Sequence, residues 1–208
     1  MSLQTYHART HTGGAGAPLV FAFHGTGGDE DQFFDLTRRL LPDASVVSPR
    51  GDVSERGAAR FFRRTAEGVY DMADLAARTE TMAAFVETKK AAHPGSPVFG
   101  FGYSNGANIL ASVMMVRPDL FDRVGLLHPL IPWQPAAVPA LAGRDVLVTA
   151  GLRDPICPWP LSQRLIDWAK SQGARLATEI HDGGHEIRPE EIAALAGLFQ
   201  ERADEHAA

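Results

Sequence analysis

A single cysteine, Cys157, stands among 208 residues. No internal disulfide can form, so a packed core must hold the chain, and a reducing, cytoplasmic setting is expected. The first residues, MSLQTYHARTHTGG, lack a basic stretch followed by an apolar one, so no secretory signal peptide is expected. No apolar run approaches the roughly 18–20 residues of a membrane span. Dense Lys/Arg runs are also missing and the net charge is −5, which argues against nucleic acid as a partner.

What remains is ordinary for a globular protein: 45% apolar and 22% charged residues, enough for one domain spanning 1–208. Short apolar runs bounded by Gly, Pro or charge predict strands at 19–23, 45–49, 97–103, 123–129, 145–151 and 176–182. Amphipathic stretches between them predict helices over about 31–41, 71–92, after Ser104, 161–172 and from Pro189 to about 203. Such alternation implies an α/β fold, a mostly parallel central sheet with helices on both faces. The weakly alternating segment 3–10 is expected as an antiparallel edge strand beside 19–23. The connections leave no room for a separate lid domain.

At the carboxyl end of the 97–103 strand stands GYSNG, residues 102–106. It matches G-x-S-x-G, the turn that exposes a nucleophilic serine between a strand and a helix. Glycines two residues either side are needed because side chains there would collide. The helix that follows aims N–H groups at developing negative charge. A capping serine on a glycine-rich turn is the simpler alternative. A dinucleotide fingerprint fits worse, because Asn105 stands where the third glycine belongs.

Serine needs a base, and that base an orienting acid, in the chain order Ser, Asp or Glu, His. Asp154 follows the 145–151 strand and His185 follows the 176–182 strand, so three strand ends can converge as Ser104, Asp154 and His185. His185 would take the serine proton and Asp154 would orient and stabilise the imidazole. His181 competes for the base role and Asp182 for the acid role. His181 and His185 have the spacing of helical metal ligands, but Gly183 and Gly184 oppose a helix, so no metal is expected. The glycine-rich FHGTGGDE, residues 23–30, follows the first long strand. It is expected to offer the Thr26 N–H, beside the Asn105 N–H, as an oxyanion hole.

FHGTGGDE (23–30), SPRGDVSERGAARFF (48–62), GFGYSNGANI (100–109), AGLRDPICP (150–158) and DGGHEI (182–187) together resemble the small phospholipase/carboxylesterase branch of the α/β-hydrolases, close to dienelactone hydrolases. The resemblance implies an α/β-hydrolase fold, the Ser104, Asp154, His185 triad and donors at Thr26 and Asn105. It also implies hydrolysis of small or aromatic carboxylic esters without a cofactor. Two departures concern the substrate: dienelactone hydrolases proper use cysteine as nucleophile, and acyl-protein thioesterase relatives usually have glutamine where Asn105 stands. A thioesterase or lysophospholipase-type acyl hydrolase is the alternative; a non-catalytic ligand-binding protein on the same scaffold is another. Homodimerisation, common in similar enzymes, would narrow an open cleft.

The substrate pocket is expected to draw on Phe61 and Phe62 within the Arg60–Arg64 run, and on Trp133 and Trp159 in later loops. The same phenylalanines are equally at home in a core, with the arginines paired to Glu55, Glu67 and Asp71. Cys157 is expected as a small buried filler.

Overall fold

The computed structural model describes residues 6–200. In chain order the elements begin with β1 (Ala8–His11), β2 (Leu19–Phe23), α1 (Phe34–Leu40) and β3 (Ser45–Pro49). Four short strands follow: β4 (Val53–Glu55), β5 (Ala58–Arg60), β6 (Arg64–Ala66) and β7 (Val69–Tyr70). Then come α2 (Met72–Ala91), β8 (Val98–Tyr103), α3 (Asn105–Val116), β9 (Arg123–Leu127) and β10 (Asp145–Gly151). The last are α4 (Trp159–Ser171), β11 (Arg175–His181) and α5 (Pro189–Gln200). The predicted extension of α5 toward 203 lies outside the described residues, as do the first residues of the 3–10 segment.

Seven strands form one sheet in the order β1-β3-β2-β8-β9-β10-β11, parallel except at β1. The edge strand β1 pairs with β3, from Ala8 opposite Pro49 to His11 opposite Val46, and not with β2 as expected. The physical reason is that β2 is parallel-paired on both sides, to β3 and β8, and has no free edge. The Gly-rich turn is held instead against the start of β3, where Gly13 N–H donates to Ser45 Oγ and Gly14 N–H to Asp43 O.

Successive side chains on a strand face opposite sides of the sheet. Leu19, Phe21 and Phe23 of β2 join the core under α2, α3 and α4, while Val20 and Ala22 join the one under α1 and α5. On β8, Phe99 and Phe101 enter the second core, and Gly100 and Gly102 face α3. A Cβ on Gly100 would stand 2.8 Å from the Phe121 ring, and one on Gly102 2.5 Å from the Gly106 backbone. Those missing side chains let α3 lie against the central strand. Every residue of α3 from Asn105 to Met114 is buried.

Between β3 and α2 the chain forms two small hairpins, β4–β5 and β6–β7, where a loop was expected. They carry the Arg60–Arg64 run. No helix among the described residues is long and apolar enough to cross a membrane.

Candidate active site

Ser104 sits between β8 and α3 with φ 53° and ψ −115°, a conformation that costs a residue with a Cβ about 1–3 kcal/mol. Its N–H donates to Leu127 O of β9 at 2.9 Å, which pins the turn to the neighbouring strand. Its hydroxyl caps nothing. That removes the capping alternative: Oγ instead meets His185 Nε2 at 2.9 Å. His185 Nδ1 faces Asp154 Oδ2 at 2.7 Å. Those partners assign the Nδ1–H tautomer, with Nε2 free to accept the serine proton. The three residues named from the sequence are thus brought into one hydrogen-bonded chain.

Each arrives by a different strand end. Asp154 follows β10 and is itself fixed by its other oxygen, which accepts from the N–H groups of Ile156 and Cys157, both at 2.8 Å. His185 follows β11 on the Gly183–Gly184 loop. A Cβ on Gly151 would lie 2.1 Å from Gly184 O, so close backbone approach lets this loop reach Asp154. The imidazole is 15% exposed.

The competitors are placed elsewhere. Asp182 is exposed and paired with Arg188 at 2.9 Å. His181 Nδ1 accepts from Gly183 N–H at 3.0 Å, and its Nε2 lies 3.3 Å from Glu191. His128, His181 and Glu191 bring ligand-type atoms within 4.8 Å of one another. They do not fit a metal as arranged. With Nδ1 already accepting, His181 must carry its proton on Nε2 and has no lone pair to give there.

Gly106 brings the end of β2 beside the serine: a Cβ there would stand 2.4 Å from both Phe23 O and His24 O. The loop with Thr26 therefore passes next to the turn. Neither the Thr26 N–H nor the Asn105 N–H has an acceptor among the described residues. Thr26 Oγ1 accepts from Arg60 Nη1 at 2.7 Å, and the Asn105 side chain accepts from Phe61 N–H at 2.8 Å. The hairpins are thereby tied across the turn.

These groups border a cleft of about 240 Å³ whose wall includes Thr26, Arg60, Tyr70, Asn108, Leu130 and Cys157. Phe61 and Phe62 do not line it; both are fully buried, Phe61 against Phe23 and His24 and Phe62 against Tyr70. Trp133 stacks edge-on with Tyr70 and lines a separate groove between α2 and α3, while Trp159 opens α4 and packs on the core. An apolar residue in a loop of the sequence fits a core or a pocket equally well, and here none of the four lines the cleft beside Ser104. Arg60 is buried and Arg64 pairs with Glu55 and Glu67.

No family model matches the chain. It is 36% identical over 185 residues to Putative hydrolase MhqD of Bacillus subtilis (strain 168), covering 88% of this chain and 92% of that one. Among solved structures, protein Atu2452 of Agrobacterium tumefaciens is 53% identical with a TM-score of 0.88, covering 95% of this chain and 97% of that one. The Bacillus cereus carboxylesterase is 32% identical with a TM-score of 0.86, at 95% of both chains. The chain is an α/β-hydrolase of the small phospholipase/carboxylesterase family.

Sequence reasoning missed several residues of the hydrolase site. Tyr70 and Asn108 form a closed set with the segment after β9. Asn108 Nδ2 donates to Tyr70 Oη at 2.8 Å, Tyr70 Oη to Leu130 O at 2.9 Å, and Leu130 N–H to Asn108 Oδ1 at 2.7 Å. Tyr103, the residue before the serine, donates its hydroxyl to His185 O, and burial pushes that phenol up to about 12. His128 precedes Asp154 in the chain, outside the Ser, Asp, His order, and its Nδ1 lies 2.9 Å from Asp154 Oδ2.

Electrostatics favour an ionised acid in this hydrolase. Burial by itself raises the Asp154 carboxyl, but the Cys157 N–H, His185, His128 and the Ile156 N–H outweigh it and hold the group below the usual range. His24, at the head of the loop that carries Thr26, is pushed down by burial. It stays neutral, with Nδ1–H donating to Gly25 O at 2.6 Å and Nε2 accepting from Gly51 N–H at 2.9 Å.

Proposed function

We propose that the protein is a serine carboxylesterase. The observation that carries this is the Ser104–His185–Asp154 chain, at 2.9 and 2.7 Å, built on a serine held in a strained strand-to-helix turn. Similarity to a carboxylesterase across nearly the whole chain supports it.

In this scheme Ser104 Oγ attacks the ester carbonyl carbon while its proton passes to His185 Nε2. The carbonyl oxygen becomes an oxyanion and is received by the N–H groups of Thr26 and Asn105. The tetrahedral adduct collapses, the carbon–oxygen bond to the alcohol breaks, and His185 returns its proton to the departing alkoxide. Water, deprotonated by the same imidazole, then hydrolyses the acyl-serine and restores Oγ–H. Asp154 stays ionised throughout and stabilises the imidazolium. No cofactor enters.

A cleft of about 240 Å³ is below the roughly 300–1,000 Å³ of pockets for drug-sized ligands, which favours small acyl and alcohol groups. Thioesters of small acids react by the same steps.

The test combines a fluorophosphonate probe, located by mass spectrometry, with hydrolysis of p-nitrophenyl acetate and butyrate. One adduct on Ser104, with turnover that Ser104→Ala abolishes, is expected. A folded protein that takes no adduct, or unchanged turnover in the variant, overturns the assignment.

A further inference from the structure

Beneath His185, on the side away from the cleft, lies a buried set of ionisable groups that the ester scheme does not use. His128 follows β9, Glu191 is in the first turn of α5, and His181 ends β11. The side chains of His128 and Glu191 are fully buried, as is that of Asp154. His128 Nδ1 faces Asp154 Oδ2 at 2.9 Å and its Nε2 faces Glu191 Oε1 at 3.0 Å. The second contact is close but out of line with the ring N–H, so it is ionic more than hydrogen-bonded.

Proton counting restricts what His128 can be. Asp154 Oδ2 is an acceptor, so Nδ1 must carry a hydrogen. If Nε2 lacked one, an unprotonated nitrogen would stand 3.0 Å from a carboxylate oxygen, both buried from water, with no positive charge between them. Glu191 is fixed as an acceptor on its other side, where Oε2 takes the Arg188 N–H at 2.6 Å and closes the first turn of α5. His181 Nε2, which carries the proton its tautomer requires, lies 3.3 Å from the same carboxylate without a hydrogen bond in line. The backbone at His128 is also held at φ 49°, a left-handed conformation unusual for a histidine, with its N–H on Thr149 O.

We propose that His128 is an imidazolium at neutral pH, clamped between Asp154 and Glu191, and that it is a positioning residue for the Ser104–His185–Asp154 chain. Two imidazoles share one oxygen of Asp154, so the carboxylate cannot rotate away from His185. The fixed cation lies 5.2 Å, ring centre to ring centre, from His185. It opposes the build-up of a second positive charge there. The other groups facing His128 do not carry compensating charge: His181 is neutral, Tyr103 keeps its phenolic proton, and Cys157 Sγ donates to His128 O at 3.2 Å. The directions of the shifts agree. Burial works against the His128 cation, but Glu191 and Asp154 more than offset it, and Glu191 itself is held below its usual range.

The kinetic half of this inference rests on the esterase reading; the charge on His128 does not. The first measurement is a two-bond nitrogen–proton spectrum of ¹⁵N-histidine-labelled wild-type protein at pH 8, with His128 assigned through contacts to the Tyr103 ring. Both ring nitrogens of His128 are expected to be protonated, and a neutral ring overturns the proposal whether or not any ester is cleaved. The second is the pH dependence of kcat/KM for p-nitrophenyl acetate in Glu191→Gln, which keeps the Arg188 cap, and in His128→Asn. The acidic limb is expected to move up by about one pH unit in both, with KM unchanged because His128 does not border the cleft. An unmoved limb in folded Glu191→Gln refutes the electrostatic role, since swapping a neutral acid for a neutral amide would leave it in place.

Discussion

Replacing Ser104 by glycine should yield a more stable protein than replacing it by alanine, the reverse of the usual order. Both variants lose Oγ and the contact with His185, so those losses cancel in the comparison. What differs is the backbone. At φ 53° and ψ −115° an alanine keeps its Cβ in a disfavoured region, at a cost of about 1–3 kcal/mol. Glycine releases that strain but adds roughly 0.5–1 kcal/mol of unfolded-chain entropy. The balance favours glycine by about 1 kcal/mol, or some 2–4 °C in Tm for a chain of this size. Thermal melts of the two variants side by side, followed by circular dichroism, measure it. Equal melting points, or a higher one for alanine, would show that the turn stores no strain and would refute the reasoning. Neither variant should turn over ester, so stability and activity separate at this one residue.

Gly106→Ala sets a Cβ 2.4 Å from two carbonyl oxygens of the β2 end; it should cost about 1–3 kcal/mol and, by displacing the Thr26 loop, lower kcat about 10²-fold. Melting temperature should peak near pH 6.5. His24 is lowered in the fold, so its stabilising neutral form is complete above the usual 6.5 and lost as pH falls toward the folded value. His128 is raised, so its contribution is complete below 6.5 and lost as pH climbs through its folded value. A Tm series should show both slopes, and His24→Gln should flatten only the first acid-side one; a series in which it flattens neither contradicts the assignment. Burial pushes the Cys157 thiol well above its ordinary range, so a thiol reagent at pH 8 should label it only in denaturant. Rapid labelling of the native protein would contradict its burial.

The parts legible in the sequence were those governed by local rules. β2, β3, β8, β9, β10 and β11 are short apolar runs, and five helices lie near their expected spans. Ser104, Asp154 and His185 could be named from chain order and strand ends, and the structure sets them in one hydrogen-bonded chain. His128 and Glu191 could not be named so, because nothing local joins a residue after β9 to one in α5; only the neighbouring positions of β9, β10 and β11 in the sheet do. A glutamate at the third position of a helix opening with proline signals a cap, and here the cap hides a charge beside the acid. Phe61 and Phe62 stayed open between pocket and core because a sequence does not say which way such a segment turns its side chains, and the structure buries both. β1 was given the wrong partner because the free edges of a sheet are known only when all its strands are placed.

The order in which β8, β9, β10 and β11 succeed one another in the chain has a consequence for synthesis. The nucleophile turn and α3 leave the ribosome well before Asp154, and His185 and Glu191 follow near the far end of the described residues. A nascent chain can thus form its strained serine turn while that serine still has no base. On the proposed esterase reading, a product terminated before residue 185 would carry a serine without its base and would leave esters intact. Ester cleavage in a cell extract would then report translation past residue 185, as a tag placed after that point would.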